Sequence, residues 1–412
     1  MEPPRLGSIP LVDDVAAPCA GAAFELVNPA AESEGVSIDA WHVEVAAAHK
    51  VVVARGGTAE DAQTAFRTGL LNAQKGLDLM SLRGSNNLVI NRFDDNHTLW
   101  WPRNDELTVR IVSFATLKFD VPPATVVVRD ANGNIVPQTD PPPVTWHESF
   151  RYFRLSQTTD DLFDAYRNVY LALESVLSSI APQKSNVTGK VSESEGQWFK
   201  RALAAAGNLV DLLPFTPAGT LDPVQHLWDE LYREMRSAMS HAKCGRKVLL
   251  PQDDSERQAV SASLQRLVRL YLALAEAHLN VRRASGGLFA VAFRMMASPA
   301  LDSASVYASD DESPPNPSDT VPNPDGGLLE ELTPDSGVLQ LSSFLIAKIW
   351  SSPVAEISNL PFVRRIVAAH GSDPFSAGIL EARLFLGSAG RLEAMLGIRG
   401  TNSRLPRERY SY

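Results

Sequence analysis

Residues 221–247 read LDPVQHLWDELYREMRSAMSHAKCGRK, and this stretch determines how we interpret the rest of the chain. Asp222 followed by Pro223 is typical of a helix start, because an N-cap carboxylate accepts a backbone N–H and proline fits the first helical position. Apolar residues then recur every three or four positions, which predicts one long helix whose apolar stripe packs against other helices. The members of the stripe are Val224, Leu227, Trp228, Leu231, Tyr232, Met235, Ala238, Met239 and Ala242.

Arg236 and His241 lie beside that stripe, with the small residues Ser237 and Ser240 between them. At roughly 100° per residue of an α-helix, their side chains are about 140° apart on the polar side. A guanidinium binds phosphate with a fixed fork of donors, and an imidazole transfers a proton near neutral pH. The alternative is that both side chains only stabilise the dipole and the last carbonyls of a helix end.

A basic patch surrounds this pair. The net charge of −10 argues against a protein that coats nucleic acid with its whole surface, but the charge is unevenly distributed. We predict that the patch binds phosphate or RNA, and the alternative is a solvated basic turn after a helix. The cations of the patch besides Arg236 are Arg233, Lys243, Arg246 and Lys247, and Glu234 is the acidic residue among them.

The motif resembles a known superfamily. Arg236-Ser-Ala-Met-Ser-His241 has the form R-x-x-x-x-H, and it follows an earlier predicted helix, residues 162–180, which reads LFDAYRNVYLALESVLSSI. The pairing resembles the HEPN (higher eukaryotes and prokaryotes nucleotide-binding) superfamily, whose signature is R-x(4–6)-H on such a helix. More narrowly, it resembles the branch called methylamine utilisation protein J-like. The resemblance covers residues 146–283. The family usually has Asn, Asp or His after the arginine, where this chain has Ser237.

The resemblance implies a homodimer, formed through a helical bundle, that brings two copies of the motif into one cleft. Such composite sites cut single-stranded RNA without a metal or another cofactor, by attack of a ribose 2′-hydroxyl on the neighbouring phosphate. By analogy Arg236 binds the phosphate, His241 transfers a proton and Ser237 orients one of them. The family also implies a toxin or an effector of antiviral, abortive-infection defence. The alternatives are a non-enzymatic protein of this fold that dimerises or binds nucleotide or RNA, and a metabolic accessory protein.

We expect an α+β chain with a β-rich N-terminal domain, a central HEPN-like four-helix bundle and a mixed C-terminal region. The predicted segments are an irregular leader (1–36), a β-rich domain with one helix (37–143), the helical bundle (144–285), a strand or linker (286–300), an acidic, Pro-rich, disordered loop (301–336) and a mixed region with a basic tail (337–412).

Within the later segments, residues 288–296 and 379–386 suggest strands, and residues 339–349 and 362–369 suggest helices. Low hydrophobicity and many prolines at 309–325 favour disorder. An alternative is that this acidic loop folds over the basic patch as an internal mimic of nucleic acid.

The chain lacks the features of secreted and membrane proteins. Its two cysteines, Cys19 and Cys244, are far apart and fit a reducing compartment without disulfides or a zinc cluster. The N-terminus shows no basic and apolar pattern of a signal peptide, and no apolar run is long enough to span a bilayer. We therefore expect a cytoplasmic protein with no membrane partner and no metal site.

Overall fold

The computed structural model describes residues 2–14, 19–84, 86–119, 130, 132–134, 145–185, 192–240, 249, 254–281, 290–314, 316, 319–321 and 327–402. The chain forms two compact units. The sheet unit consists of residues 1–120, 288–403 and 411–412, and the helical unit consists of residues 121–287 and 404–410. The sheet unit is therefore built from the two ends of the chain, and the helical unit from its middle.

The sheet unit contains one sheet whose fifteen strands come from the described residues. The strands are β1 (Arg5–Leu6), β2 (Ile9–Pro10), β3 (Gly21–Glu25), β4 (Glu34–Ile38), β5 (Trp41–Val45), β6 (Val51–Gly56), β7 (Asn96–Arg103), β8 (Glu106–Phe119), β9 (Ser305–Ser309), β10 (Leu329–Pro334), β11 (Leu339–Ser342), β12 (Leu345–Pro353), β13 (Val363–His370), β14 (Asp373–Phe385) and β15 (Arg391–Asn402).

The order of strands in the sheet is β2-β1-β14-β13-β9-β10-β12-β15-β8-β7-β3-β6-β5-β4, with β11 beside β12. Neighbouring strands run antiparallel except β8 and β15, which run parallel from the pair Thr108–Arg391 to the pair Phe119–Asn402. Inside this parallel ladder Glu393 is fully buried opposite Arg110, whose Nε donates to its Oε2 at 2.7 Å. The early and late strands of the chain are thus joined by a ladder and a buried ion pair.

The helices of the chain are α1 (Ala62–Arg83), α2 (Ser149–Thr158), α3 (Leu162–Ile180), α4 (Glu195–Ala206), α5 (Pro223–Leu227), α6 (Ser237–Ser240), α7 (Asp254–Leu279) and α8 (Ala290–Asp302). A π-helical segment, Trp228–Arg236, connects α5 to α6.

Helix α1 packs on one face of the sheet, against β3 and β5. It begins at the N-cap Asp61, which accepts from the backbone N–H of Thr64, and ends before Gly84 in the left-handed region at φ 80°. The helix approaches the strands closely because it has glycine at two contacts. A Cβ on Gly69 would lie 2.5 Å from the Cβ of Ala22, and a Cβ on Gly76 would lie 2.5 Å from a methyl of Val43.

The helical unit is arranged around α3, which contacts α2, α4 and α7. Asp161 caps α3 by accepting from the backbone N–H of Asp164. The side chains of α3 that repeat at helical spacing are buried, as the apolar periodicity predicts. They include Tyr166, Val169, Tyr170, Leu173 and Leu177.

The predicted architecture was wrong. There is no separate β-rich N-terminal domain and no separate mixed C-terminal region, because β8 and β15 place both ends of the chain in one sheet. The central four-helix bundle is not formed by the described residues either. Its expected third member is divided into the five-residue α5, the π segment and the four-residue α6, so it offers no long α-helical stripe for bundle packing.

Several shorter predictions also differ from the structure. The expected irregular leader contains β1, β2, β3 and the start of β4. Of the expected strand at 288–296, the described residues 290–296 belong to helix α8. The expected helices at 339–349 and 362–369 are strands β11, β12 and β13. In the acidic segment, Asp311 forms an ion pair with the buried Arg365 at 2.8 Å, and Glu312 forms one with Arg383 at 2.7 Å.

Among the described residues, no helix combines the length and the apolar character that a bilayer crossing requires.

Glu25 at the end of β3 lines a small cleft in the sheet unit, together with Asn96 and Glu381. Burial, and then the negative charge of Glu381, raise the pKa of Glu25 from 4.5 to about 7. A carboxyl that binds its proton more tightly in the folded chain than in the unfolded chain stabilises the fold at low pH. This contribution is fully present below pH 4.5 and is lost as the pH rises through 7.

We predict that Glu25→Gln removes this loss of stability. At pH 8 the variant should have a higher free energy of unfolding than the wild type by up to about 3 kcal/mol, and at pH 4 the two should be similar. Urea unfolding at the two pH values measures the difference. The exposed Glu60→Gln serves as the control, and an equal effect of both substitutions at pH 8 would contradict the assignment.

Candidate functional site

Arg236 is the last residue of the π segment, and its side chain contacts residues of α3, α4 and the π segment in the helical unit. Its Nη2 donates to Oε1 of Glu195 on α4 at 2.6 Å. Its guanidinium carbon lies 5.0 Å from the ring centre of Tyr232 and 6.0 Å from that of Tyr170 on α3. The Arg236 side chain is 35% exposed and that of Glu195 is 46% exposed. The guanidinium is therefore supported by aromatic rings and reachable from solvent.

The elements around Arg236 are fixed by local sequence features. Helix α4 begins with a capping box, in which Ser194 accepts from the backbone N–H of Gln197 and the Gln197 side chain accepts from that of Ser194. Glu195 follows in the first helical turn, where the helix dipole favours a negative charge. On the π segment Glu230 is buried, and it accepts from Ser263 on α7 at 2.7 Å. These contacts hold both members of the Arg236–Glu195 pair.

A second carboxyl, Glu174 on α3, also interacts electrostatically with Arg236. Its Oε1 and the hydroxyl of Tyr170 are buried without a hydrogen-bond partner in the structure. Burial raises the pKa of Glu174, and the charge of Arg236 opposes that rise. Burial also acts to lower the pKa of Arg236, but the interactions with Tyr170, then with Glu195 and Glu174, outweigh burial and raise it. Arg236 thus stays charged beside the exposed carboxylate of Glu195 and the half-buried carboxyl of Glu174.

The structure describes some of the predicted site residues but not all of them. Arg236 and Ser237 are described, and Ser237 is the first residue of α6. Arg233 is exposed and forms an ion pair with Asp229 at 2.8 Å. His241 lies outside the described residues, as do Lys243, Arg246 and Lys247. Whether Arg236 and His241 converge therefore stays a prediction, and so does the basic patch after α6. The angle of about 140° assumed a regular α-helix of roughly 100° per residue, whereas Arg236 ends a π segment.

Sequence reasoning missed Glu174, Glu195 and the role of the tyrosines. The spacing places Tyr232 in the apolar stripe of the predicted helix at 221–247 and gives it no other role. The signal was the residue type: tyrosine and tryptophan carry polar atoms that phenylalanine and leucine lack, and Trp228, Tyr232 and Arg236 recur at intervals of four. The two glutamates come from other helices, so no local pattern connects them to Arg236.

The chain matches no model of a known protein family, and neither curated proteins nor solved structures give a significant match to it. The resemblance to the HEPN superfamily stays an interpretation of the motif residues.

We predict that Arg236→Met destabilises the chain in a pH-dependent way. The substitution keeps the side-chain volume similar but leaves Glu174 without its nearby cation, so the pKa of Glu174 should rise further. Stability should then fall by about 1 kcal/mol more at pH 8, where the buried carboxyl is forced to ionise, than at pH 5.

Urea unfolding at both pH values measures this. Arg269→Met is the matched control, because Arg269 is an exposed cation 5.9 Å from the ring centre of Phe215 in the same unit. An Arg236→Met loss that is the same at both pH values would show that Arg236 does not control the ionisation of Glu174.

Proposed function

We propose that the helical unit binds and cleaves single-stranded RNA without a metal ion, with Arg236 on the scissile phosphate and His241 transferring protons. One observation supports this most directly. The Arg236 guanidinium rests on Tyr232 at the surface, and its hydrogen-bond partner is an exposed carboxylate 2.6 Å away. A phosphate oxygen has the charge and the acceptor geometry to replace that carboxylate.

The chemistry requires no group other than these residues and the RNA. The 2′-oxygen forms a bond to phosphorus as the bond from phosphorus to the 5′-oxygen breaks, which leaves a 2′,3′-cyclic phosphate and a 5′-hydroxyl. A neutral His241 accepts the proton of the 2′-hydroxyl, and a protonated His241 of a second copy gives a proton to the leaving oxygen. Arg236 stabilises the negative charge that develops on the phosphate, and Ser237 orients the histidine.

This proposal includes a homodimer, because the two proton transfers need two imidazoles in one cleft. Each copy would contribute one Arg236 and one His241, as in the composite sites that the resemblance implies.

A second candidate is RNA or nucleotide binding without cleavage. The observation that favours it is that Arg236 already has a counterion, held by the capping box of α4. An arginine in a stable ion pair binds phosphate only by exchange, and such a site can retain a ligand without performing chemistry on it.

We predict that the wild-type chain cleaves labelled single-stranded RNA in EDTA to products with 2′,3′-cyclic phosphate ends. Arg236→Met and His241→Ala should each reduce the rate by about 100-fold or more, as losses of proton-transfer or charge-stabilising groups do. Arg269→Met is the matched control and should cleave like the wild type. Light scattering and circular dichroism establish that each variant is a folded dimer. Cleavage by a folded Arg236→Met at the wild-type rate would contradict the proposal, and binding without cleavage would favour the second candidate.

We predict further that Glu195→Gln binds RNA more tightly than the wild type. The substitution removes the carboxylate that competes with phosphate for Arg236, and an exposed ion pair of this kind is worth up to about 1 kcal/mol, so the affinity should rise about 2- to 5-fold. Fluorescence anisotropy with labelled RNA measures it in a His241→Ala background that prevents cleavage. Glu193→Gln is the control, because Glu193 forms an ion pair with Arg201 instead. Equal affinities of the two variants would show that Glu195 does not compete with RNA.

A further inference from the structure

Trp228 and Tyr232 lie beside each other on the π segment, and both rings are partly exposed. Their ring centres are 6.2 Å apart and their planes are inclined by only 13°. Cations flank both rings. The ring centre of Trp228 is 5.5 Å from Nζ of Lys200 and 5.4 Å from the guanidinium carbon of Arg233. We call these two rings, with Lys200, Arg233 and Arg236, the aromatic strip.

The orientation of the two rings is fixed by Gly196 in the first turn of α4. The indole Nε1 of Trp228 donates to the carbonyl oxygen of Gly196 at 2.9 Å. A Cβ at Gly196 would lie 2.9 Å from Cε1 of Tyr232, so the absence of a side chain lets the tyrosine ring lie close to α4. The rings are therefore held in place before any ligand arrives, which reduces the entropy lost on binding.

The charges of the strip favour an anionic ligand. Lys200 contacts the neutral amide of Gln225, whereas Arg233 pairs with Asp229 at 2.8 Å and Arg236 pairs with Glu195 at 2.6 Å. Both arginine pairs are partly exposed, so phosphates can compete with their carboxylates. The chain continues after α6 with Lys243, Arg246 and Lys247, which add positive charge to the sequence that follows the strip.

We propose that the aromatic strip is a base-stacking site for single-stranded RNA, in which an unpaired base stacks against Trp228 and the flanking phosphates contact Lys200 and Arg233. Nearly parallel aromatic rings edged by cations are the arrangement that proteins use to bind single strands with little sequence preference. The inference deepens the proposed function by naming the residues that place a strand beside Arg236, and it rests on that function only for the cleavage step.

A stacking site discriminates between single and double strands. The bases of a duplex are stacked on each other and do not offer their faces, so a duplex should bind the strip only through its phosphates. Single-stranded RNA should therefore bind more tightly than a duplex of the same length at the same salt concentration.

The test measures binding of fluorescein-labelled oligouridylate of twelve nucleotides to the full chain carrying His241→Ala. Trp228→Leu should weaken binding by about 5- to 100-fold, as the loss of one stacked base does. Trp146→Leu is the matched control, because Trp146 is 70% exposed in the same unit and outside the strip. Its affinity should be unchanged. Lys200→Gln should lower the salt dependence of binding, and Trp228→Leu should leave it unchanged.

A second variant, Trp228→Phe, keeps an aromatic ring at this position and therefore disturbs the packing less than Trp228→Leu does. In the His241→Ala background, RNA should quench part of the tryptophan fluorescence, and this part should disappear when Trp228→Phe is added and persist when Trp146→Phe is added. Equal RNA affinity of folded Trp228→Leu and Trp146→Leu, or equal quenching in the two phenylalanine variants, would overturn the inference.

The outcomes separate this inference from the proposed function. Binding that depends on Trp228 in a chain that never cleaves RNA would refute the cleavage and leave the stacking site. Cleavage by a chain whose binding is indifferent to Trp228 would refute the stacking site alone. Absence of any RNA binding would refute both.

Discussion

The parallel ladder between β8 and β15 is the interaction on which the sheet unit depends. It pairs residues 108–119 with residues 391–402, and residues 121–287 of the helical unit lie between these two strands in sequence. Glu393 is fully buried in this ladder and is bound by Arg110 directly opposite and by Arg103 at 3.3 Å. Removal of both arginines would leave the buried carboxylate of Glu393 without compensation, so these ion pairs favour the register in which β8 and β15 meet. The entropy of closing so long a loop grows only slowly with its length, which makes the insertion of a complete helical unit tolerable.

Helix α3 could be predicted from the sequence, whereas the arrangement of the strands in one sheet could not. The apolar repeat over residues 162–180 predicts a helix, and α3 has these bounds, because a long stripe at helical spacing has few alternatives. Strands β12 and β13 were mistaken for helices because most of their residues are buried on both sides, which removes the alternation that reveals a half-exposed strand. No local sequence pattern indicates that β15 pairs with β8, because the paired residues are almost three hundred positions apart in the chain.

For the candidate site, the sequence identified the cation but not its surroundings. Arg236 could be singled out because it begins a recognisable spacing to His241. Glu174 and Glu195 belong to α3 and α4, and only the packing of these helices against the π segment brings them to the guanidinium. The π segment itself gave no signal, because its apolar residues keep the spacing of an ordinary helix. In other proteins, π-helical segments are often found at functional sites.

The central claim is that Arg236 exchanges Glu195 for an RNA phosphate. The most direct measurement is the NMR signal of the Arg236 Nε–H group in a chain labelled with 15N-arginine, assigned by its loss in Arg236→Met. The account predicts that this signal shifts saturably when a 2′-O-methyl single-stranded RNA, which resists cleavage, is added, and that Glu195→Gln reaches saturation at a lower RNA concentration. An Arg236 signal that stays unchanged while RNA binds elsewhere on the chain would contradict the account.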